Sequence, residues 1–485
     1  MLYIGIDLGT SSTKALLVNE KGIIKRSASR SYPIIYPKNN WTEQDPSEWV
    51  KALKEILKEL IKDHEDEING ISFGGQMHGL VILDKNDKII RPCILWNDGR
   101  CEEETKYLNE VIGRDVLSKE TGNIAFAGFT LPKILWLKEH EKENFDKISK
   151  IMLPKDYLAY VLSGVHATDY SDASGMLLLD VEHKCYSKKM IEIAGIDSKM
   201  LPTLHESYDC IGKLKEEFKN ELGLKKDVNI IIGAGDNAAA AVGTGTVGEN
   251  ACNISLGTSG TIFITSNRFS VDNKNSLHSF CHADSKYHLM GCILSAASCN
   301  GWWLKNILRR DDFDYHNEEM SKEKIDTGVY FLPYLSGERS PHNDVNARGA
   351  FLGLTHQTTE PMMGRAVLEG VAFALRDCLE VAKSNGVNVT STKLCGGGSR
   401  TTLWISIIAN VLNVPVEMPM VEEGPSYGAA ILAMVGSKEY KDVISATQKI
   451  VKIKETIYPD AELVKEYEKK YQTFKKLYPA LKGIL

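Results

Sequence analysis

The chain has 485 residues, 43% hydrophobic and 25% charged, with a formal net charge of -6. This is the composition of an ordinary globular protein; it gives no basic surface for nucleic acid, and no apolar run of about 18 residues for a membrane span. The length exceeds what one core supports and predicts two domains of roughly 200 to 250 residues each. An acid, Asp7, follows only six residues with no basic leader, so no signal peptide and a cytoplasmic location are expected. The ten cysteines include no Cys-x-x-Cys pair and read as reduced, buried apolar residues; the twelve histidines show no His-Glu-x-x-His pattern.

In chain order, the first predicted element is a hairpin. Ile4 to Leu8 form a short apolar strand that runs into Gly9-Thr10-Ser11-Ser12, and Ala15 to Val18 form the return strand. A turn of this kind offers backbone N–H groups and short hydroxyls to phosphate oxygens, and glycine lets the backbone approach closely. Asp7 ends the first strand and points into that turn. A carboxylate there repels a polyphosphate unless a cation intervenes, and magnesium, held by one or two carboxylates, water and phosphate oxygens, fits the demand. Asp45-Pro46-Ser47-Glu48 predicts a helix start, with Asp45 as N-cap, Pro46 at the first position and Glu48 closing a capping box. Trp49, Leu53, Ile56, Leu57 and Leu60 then share one helical face. A strand over residues 70–73 is expected to break at Gly74-Gly75.

Residues 228–232 predict another buried strand, ending in Gly233-Ala234-Gly235-Asp236-Asn237 and an alanine-rich helix. The pattern Gly233-x-Gly235-x-x-Ala238 fits a dinucleotide-binding fingerprint, but no acid-tipped strand follows about 20 residues later, and no P-loop occurs anywhere. Asp236 stands where a strand hands over to a helix, where exposed N–H groups and the helix dipole favour an ionised carboxylate; it reads either as an N-cap or as a proton acceptor beside a ligand. A domain boundary is placed in the glycine-rich stretch 243–248, giving domains 1–247 and 248–485. The hairpin then returns: Asn253 to Leu256, Gly257-Thr258-Ser259-Gly260, and Ile262 to Ile264, with Ser255 where the first copy has Asp7. One Gly-Thr-Ser is equally ordinary turn chemistry, but two copies near the starts of two half-chains point to a nucleotide gripped from both sides. Gly396-Gly397-Gly398-Ser399 is a third glycine-rich turn, suited to an adenine or ribose. Val464, Tyr467, Tyr471, Phe474 and Tyr478 form a stripe at helical spacing, read as a packing face, with the last helix packing back on the first domain. Alternating strands and amphipathic helices give an α/β class.

With these motifs in hand, the chain resembles the FGGY family of carbohydrate kinases, on the actin-like (ribonuclease H-like) ATPase fold. Residues 128–140, from Gly128-Phe-Thr130 through Lys133 and Trp136 to His140, match that family's first signature. Trp41-Thr-Glu-Gln-Asp45-Pro, Gly75-Gln-Met77-His78-Gly, Leu95-Trp96-Asn97-Asp98-Gly-Arg100, Leu153-Pro-Lys155-Asp156-Tyr157, Gly235-Asp236-Asn237 and Ser336-Gly-Glu-Arg339-Ser-Pro-His342 are most similar to the members that act on D-xylulose. The resemblance implies two actin-like domains around a cleft. It further implies ATP and Mg2+ as cofactors, Asp236 as general base and Asp7 as the residue handling metal and phosphate. Met77, His78, Asp236 and Asn237 would bind sugar. Thr10, Ser11, Ser12 and Thr258 would hold phosphates, with Gly397, Gly398 and Ser399 near the nucleoside. Thr401 stands where glycerol kinases of the family have an Asn, so that adenine contact is not carried over. The expected partners are a small sugar and ATP, with no nucleic acid and no membrane; a homodimer is left open. Other ketoses such as ribulose or fuculose would use the same phosphate motifs. Outside the family, the rival readings are a dinucleotide-dependent oxidoreductase and a nucleotide switch of the chaperone type.

Overall fold

The computed structural model describes residues 1–484. Two mixed sheets carry it, and five strands of each follow one order, while the strand beyond them, Cys210–Lys213 in the first and Ile453–Ile457 in the second, enters at a different point of the chain. In the first, the antiparallel run Ile24–Ser31, Ser12–Asn19, Leu2–Leu8 continues into the parallel strands Ile68–Gly75 and Asn229–Ile231, then the antiparallel Cys210–Lys213. In the second, Tyr287–Ile293, Gly260–Ser266 and Cys252–Leu256 run antiparallel, Thr392–Cys395 and Val416–Pro419 add in parallel, and Ile453–Ile457 closes the order. His278–Cys281 extends this sheet at the other edge. The sequence duplication is therefore a duplication of topology. Central strands covered on both faces must be apolar throughout, and Leu2, Tyr3, Ile4, Ile6 and Leu8 are all buried.

Local chemistry explains most elements. Helix Pro46–Ile61 is capped by Asp45, which accepts from the Ser47 N–H at 2.9 Å, and the predicted face of Trp49, Leu53, Ile56, Leu57 and Leu60 is fully buried. Glu48 closes no capping box; it stays in the first turn, where a carboxylate meets the positive helix end. The strand over 70–73 is longer than expected. It runs on through Gly74 and Gly75, which pair with Asp7 and Leu8 on one side and with Ala234 and Gly235 on the other. Glycine is needed there for space: a Cβ on Gly75 would stand 2.8 Å from Cβ of Lys155. Residues 244–251, where the boundary was expected, carry no helix or strand.

The last helix, Ala461–Leu481, departs from expectation. Its aromatic stripe is indeed a packing face, but it packs on helices Glu360–Ser384 and Thr402–Leu412 of the second half, with Tyr467, Tyr471, Phe474 and Tyr478 in that half's core. The segment that crosses back is helix Gly424–Gly436. It lies on strand Leu2–Leu8 and on helix Asp236–Gly243, and it joins with them in a core drawn from both ends of the chain. Small residues permit this. A Cβ on Gly5 would meet the Ser426 carbonyl at 2.0 Å, and one on Gly428 would meet the Ala239 carbonyl at 1.8 Å. No helix among the described residues is long and apolar enough to cross a membrane.

Candidate active site

The second hairpin lines a cleft with Ser255, Gly257, Ser259 and Thr261, and the first meets the same wall through Thr10, which is bonded to the cleft residue Trp96. In the first, Asp7 pairs with Lys14 in register; in the second, the equivalent pair is Ser255 and Thr261. The first turn is pinned by its carbonyls: Tyr32 donates to Gly9 O at 2.5 Å and Gln44 donates to Thr10 O. The indole N–H of Trp96 donates to Thr10 Oγ1 at 3.0 Å. In the second, Ser298 Oγ donates to Thr258 O at 2.6 Å and the Ala297 N–H to Gly257 O at 2.9 Å. Among the described residues, the hydroxyls of Ser11, Ser12, Thr258 and Ser259 make no bond within the protein. Anchored carbonyls with free donors make a turn suited to oxyanions.

Gly233 adopts φ +79°, and a Cβ there would stand 1.9 Å from the Phe73 carbonyl, so the chain can enter the next helix in this way only with glycine. Asp236 is the first residue of helix Asp236–Gly243, one position inside the N-cap Gly235. The N-cap alternative is therefore corrected. Its Oδ1 accepts from the Asn237 backbone N–H at 2.7 Å and from Asn237 Nδ2 at 2.8 Å.

Two cavities meet at this carboxylate. One, of about 280 Å³, extends from Asp236 past Thr244 and Asn253 to Cys395, Gly396, Glu422 and Pro425. The other, of about 320 Å³, is bounded by Met77, His78, Trp96, Phe129, His278 and Arg339. Asp236, Asn237, Ser255 and Thr261 belong to both walls. Burial raises the Asp236 carboxyl to about 6, against the two hydrogen bonds from Asn237. Asp7 is raised to about 7, first by burial and then by the Asp236 charge, with Lys14 opposing. Lys14 is itself engaged by Glu423. Two facing acids, one of them with no hydrogen-bond donor among the described residues, fit a hard divalent cation. No cluster of three or more metal-binding side chains occurs among those residues, so an ion would be held by one or two carboxylates, water and phosphate, as magnesium is.

His78 is positioned with equal care. Its backbone is left-handed, φ +69°, and its carbonyl accepts from Thr130 Oγ1 and from the buried Lys133 Nζ, both at 3.1 Å. Lys133 also donates to Gly128 O and Phe129 O, so the signature 128–140 serves as the clamp on this residue. The Nδ1 of His78 lies 3.0 Å from Gly175 O, which can only accept, so Nδ1 carries the proton. Burial, then the charges of Lys133 and Arg339, push the ring down to about 3. The ring is neutral, and Nε2 is left as an acceptor. Met77 is buried with its sulfur against Gly235 and forms an apolar wall.

Met77, His78, Asp236 and Asn237 are thus brought together as expected. The third glycine-rich turn is placed differently: Gly396 lines the smaller cavity beside Cys395, whereas Gly397–Arg400 form a short 3-10 helix in which Gly398 and Ser399 are buried and Ser399 Oγ donates to Gly396 O at 2.6 Å. Trp96, Phe129, His278, Cys292 and Arg339 were not singled out from sequence as sugar-side residues. Trp96, Phe129 and Arg339 lie in the quoted motifs, which was the available signal; His278 and Cys292 carried none.

A cleft with turns suited to oxyanions, paired acids and a small chamber is the arrangement of a sugar phosphotransferase. Residues 2–243 match the N-terminal domain and residues 252–437 the C-terminal domain of the FGGY family of carbohydrate kinases, and the chain belongs to that family. Its fold is the actin-like ATPase fold of those kinases. The chain is 38% identical over 483 residues to the xylulose kinase of Escherichia coli, covering 99% of each. Among solved structures, the ligand-bound xylulose kinase of Lactobacillus acidophilus superposes with a TM-score of 0.95 at 27% identity, covering 99% of this chain and 98% of that one. The glycerol kinase of Plasmodium falciparum with ADP superposes with a TM-score of 0.91 at 25% identity, covering 99% and 98%.

Proposed function

We propose that the protein transfers the γ-phosphoryl group of ATP to the terminal 5-hydroxyl of D-xylulose, giving D-xylulose 5-phosphate and ADP. The observation that carries this reading is the position of Asp236 on the wall shared by two cavities, one bounded by Met77, His78 and the second glycine-rich turn at Gly257 and Ser259, the other running to Gly396. The relatives named xylulose kinase supply the sugar, and their family supplies ATP.

Phosphoryl transfer to an alcohol passes through a loose transition state, so catalysis is mostly positioning and charge stabilisation. Asp236, ionised above about pH 6, accepts the proton of the attacking hydroxyl. Asn237 holds that carboxylate by two bonds on one oxygen, leaving the other for substrate. Thr10, Ser11, Ser12 and Thr258 offer donors to the phosphates from opposite sides. Asp7 would hold magnesium, which when bound neutralises charge on the phosphates. On the sugar side, His78 Nε2 accepts from a hydroxyl and Met77 and Phe129 exclude water. Use of ATP as donor supports a cytoplasmic location.

The test is ADP release by the purified protein across ketoses and polyols. D-xylulose is expected to give the highest kcat/KM; a higher value for ribulose or fuculose would move the assignment within the family, and no ketose activity would end it.

A further inference from the structure

The sugar-side cavity contains a cation that the reaction does not obviously require. Arg339 lines it, yet among the described residues no carboxylate lies within ion-pair distance of its guanidinium. Its neighbour Glu338 turns away, accepting the Leu294 N–H at 3.0 Å and the Arg339 backbone N–H at 2.7 Å. The guanidinium lies over the Phe126 ring, 4.9 Å from its centroid. Phe126 packs edge-on against His278 at 5.2 Å and Phe129 at 5.5 Å, and Phe129 packs against His78 at 4.7 Å. Arg339 therefore belongs to the aromatic part of the chamber, together with His78, while Asp236 lines the same chamber next to Gly235, which lies against Met77. Stacking on Phe126 accounts for a planar cation but not for its facing a chamber for an uncharged substrate with no counter-ion.

Two of the polar groups in this part, which His278 and Cys292 also line, are complementary in kind. A guanidinium can only donate hydrogen bonds, and neutral His78 with Nδ1 committed to Gly175 can only accept through Nε2. With the reacting hydroxyl at Asp236, the far end of an open-chain ketose presents a carbonyl oxygen, which only accepts, next to a hydroxyl that can donate. We propose that Arg339 recognises the ketose carbonyl, and that with His78 it makes the site select a ketose over the corresponding polyol. This rests on the ketose kinase reading above. A polyol replaces the carbonyl by a hydroxyl whose proton, facing a donor-only guanidinium, lacks an acceptor; buried donors left without partners are what give a hydrogen-bonding site its discrimination. Arg339 comes from the second half of the chain and His78 from the first, so the ketose would bridge the cleft.

The experiment compares D-xylulose with xylitol and D-arabitol, the two polyols that differ from it only at the carbonyl carbon, in wild type, Arg339→Met and Arg339→Lys. Wild type is expected to favour the ketose in kcat/KM by at least about tenfold. Arg339→Met should lower ketose kcat/KM by about 10- to 100-fold, leave polyol turnover within about threefold and leave the ATP KM unchanged, while Arg339→Lys, a donor without the planar fork, falls between. Equal losses on ketose and polyols, or an unchanged ketose-to-polyol ratio, would overturn the proposal. If Arg339→Met does not fold, the ratio in Arg339→Lys decides by the same criterion. A wild type inactive on every ketose would instead sink the ketose kinase reading, and a wild type equally active on both classes would sink this one alone.

Discussion

Asp236 sits at a helix start, and its partner Asn237 would still donate to an amide oxygen, so Asp236→Asn separates chemistry from folding. The variant should keep the wild-type thermal midpoint and sugar affinity while kcat falls at least about 100-fold, the usual scale for loss of a general base. More than a tenth of wild-type turnover in a folded Asn variant would remove this residue from the proton transfer. Asp7 gives a pH test. Its folded carboxyl is raised to about 7, above the ordinary value near 4 of an unfolded chain. Protonation therefore stabilises the fold below about pH 4, and this contribution is lost as pH rises through about 7. Asp7→Asn removes the pH dependence, so without nucleotide its melting temperature should gain on wild type between pH 4 and 7 and hold a constant lead above, while turnover is lost. Melting curves across that range check the sign; a lead that shrinks with pH would show Asp7 is not strained by burial. For His78, Ala should raise the ketose KM by about 10-fold, within the cost of unpairing a buried hydroxyl, and leave the ATP KM unchanged. Gly175→Ala should reproduce that pattern, because its Cβ would stand 2.2 Å from His78 Nδ1.

At the scale of elements, strand Leu2–Leu8 and helix Asp236–Gly243 carry the two acids and both lie on helix Gly424–Gly436 at backbone distance. A methyl group at Gly428 meets a carbonyl rather than a flexible side chain, so Gly428→Ala should cost more than the roughly 1 to 3 kcal/mol of ordinary overpacking and lower kcat together with the melting temperature. Gly397→Ala, whose Cβ meets nothing within 4 Å, should leave stability unchanged. Similar losses in the two variants would mean that general glycine loss, not this contact, is responsible. The hairpins, capped helix and Gly235-Asp236 turn were legible because their determinants are local: spacing, a cap and a glycine a few residues apart. Helix Gly424–Gly436 was not, since its apolar faces do not say which sheet they cover. The strand break expected at Gly74 failed for a related reason: Gly74 and Gly75 suit a strand flanked by other backbones. His278 reaches the sugar chamber only through second-half topology, so no neighbouring residue announces it, and Arg339 was marked only by the motif around it.

On the scale of the whole molecule, two sheets with a shared five-strand core form the walls, and the asymmetry between their hairpins, an acid in one and Ser255 in the other, leaves both acids, Asp7 and Asp236, on the first half's side. The helix that crosses between the halves also sets an order of events. Strand Leu2–Leu8 is made first, yet the helix covering it lies at Gly424–Gly436, so a nascent first half waits on the ribosome with an apolar face uncovered while the intervening chain is translated. A fragment of residues 1–247 should accordingly aggregate or bind chaperone when made alone, and become soluble when residues 248–485 are co-expressed, as sedimentation of the two preparations would reveal. Catalytic competence arrives late in synthesis by construction: a chain truncated before that helix has both aspartates and the His78 pocket in its sequence, but no scaffold on which they face one another, so prematurely terminated products carry no half-active kinase.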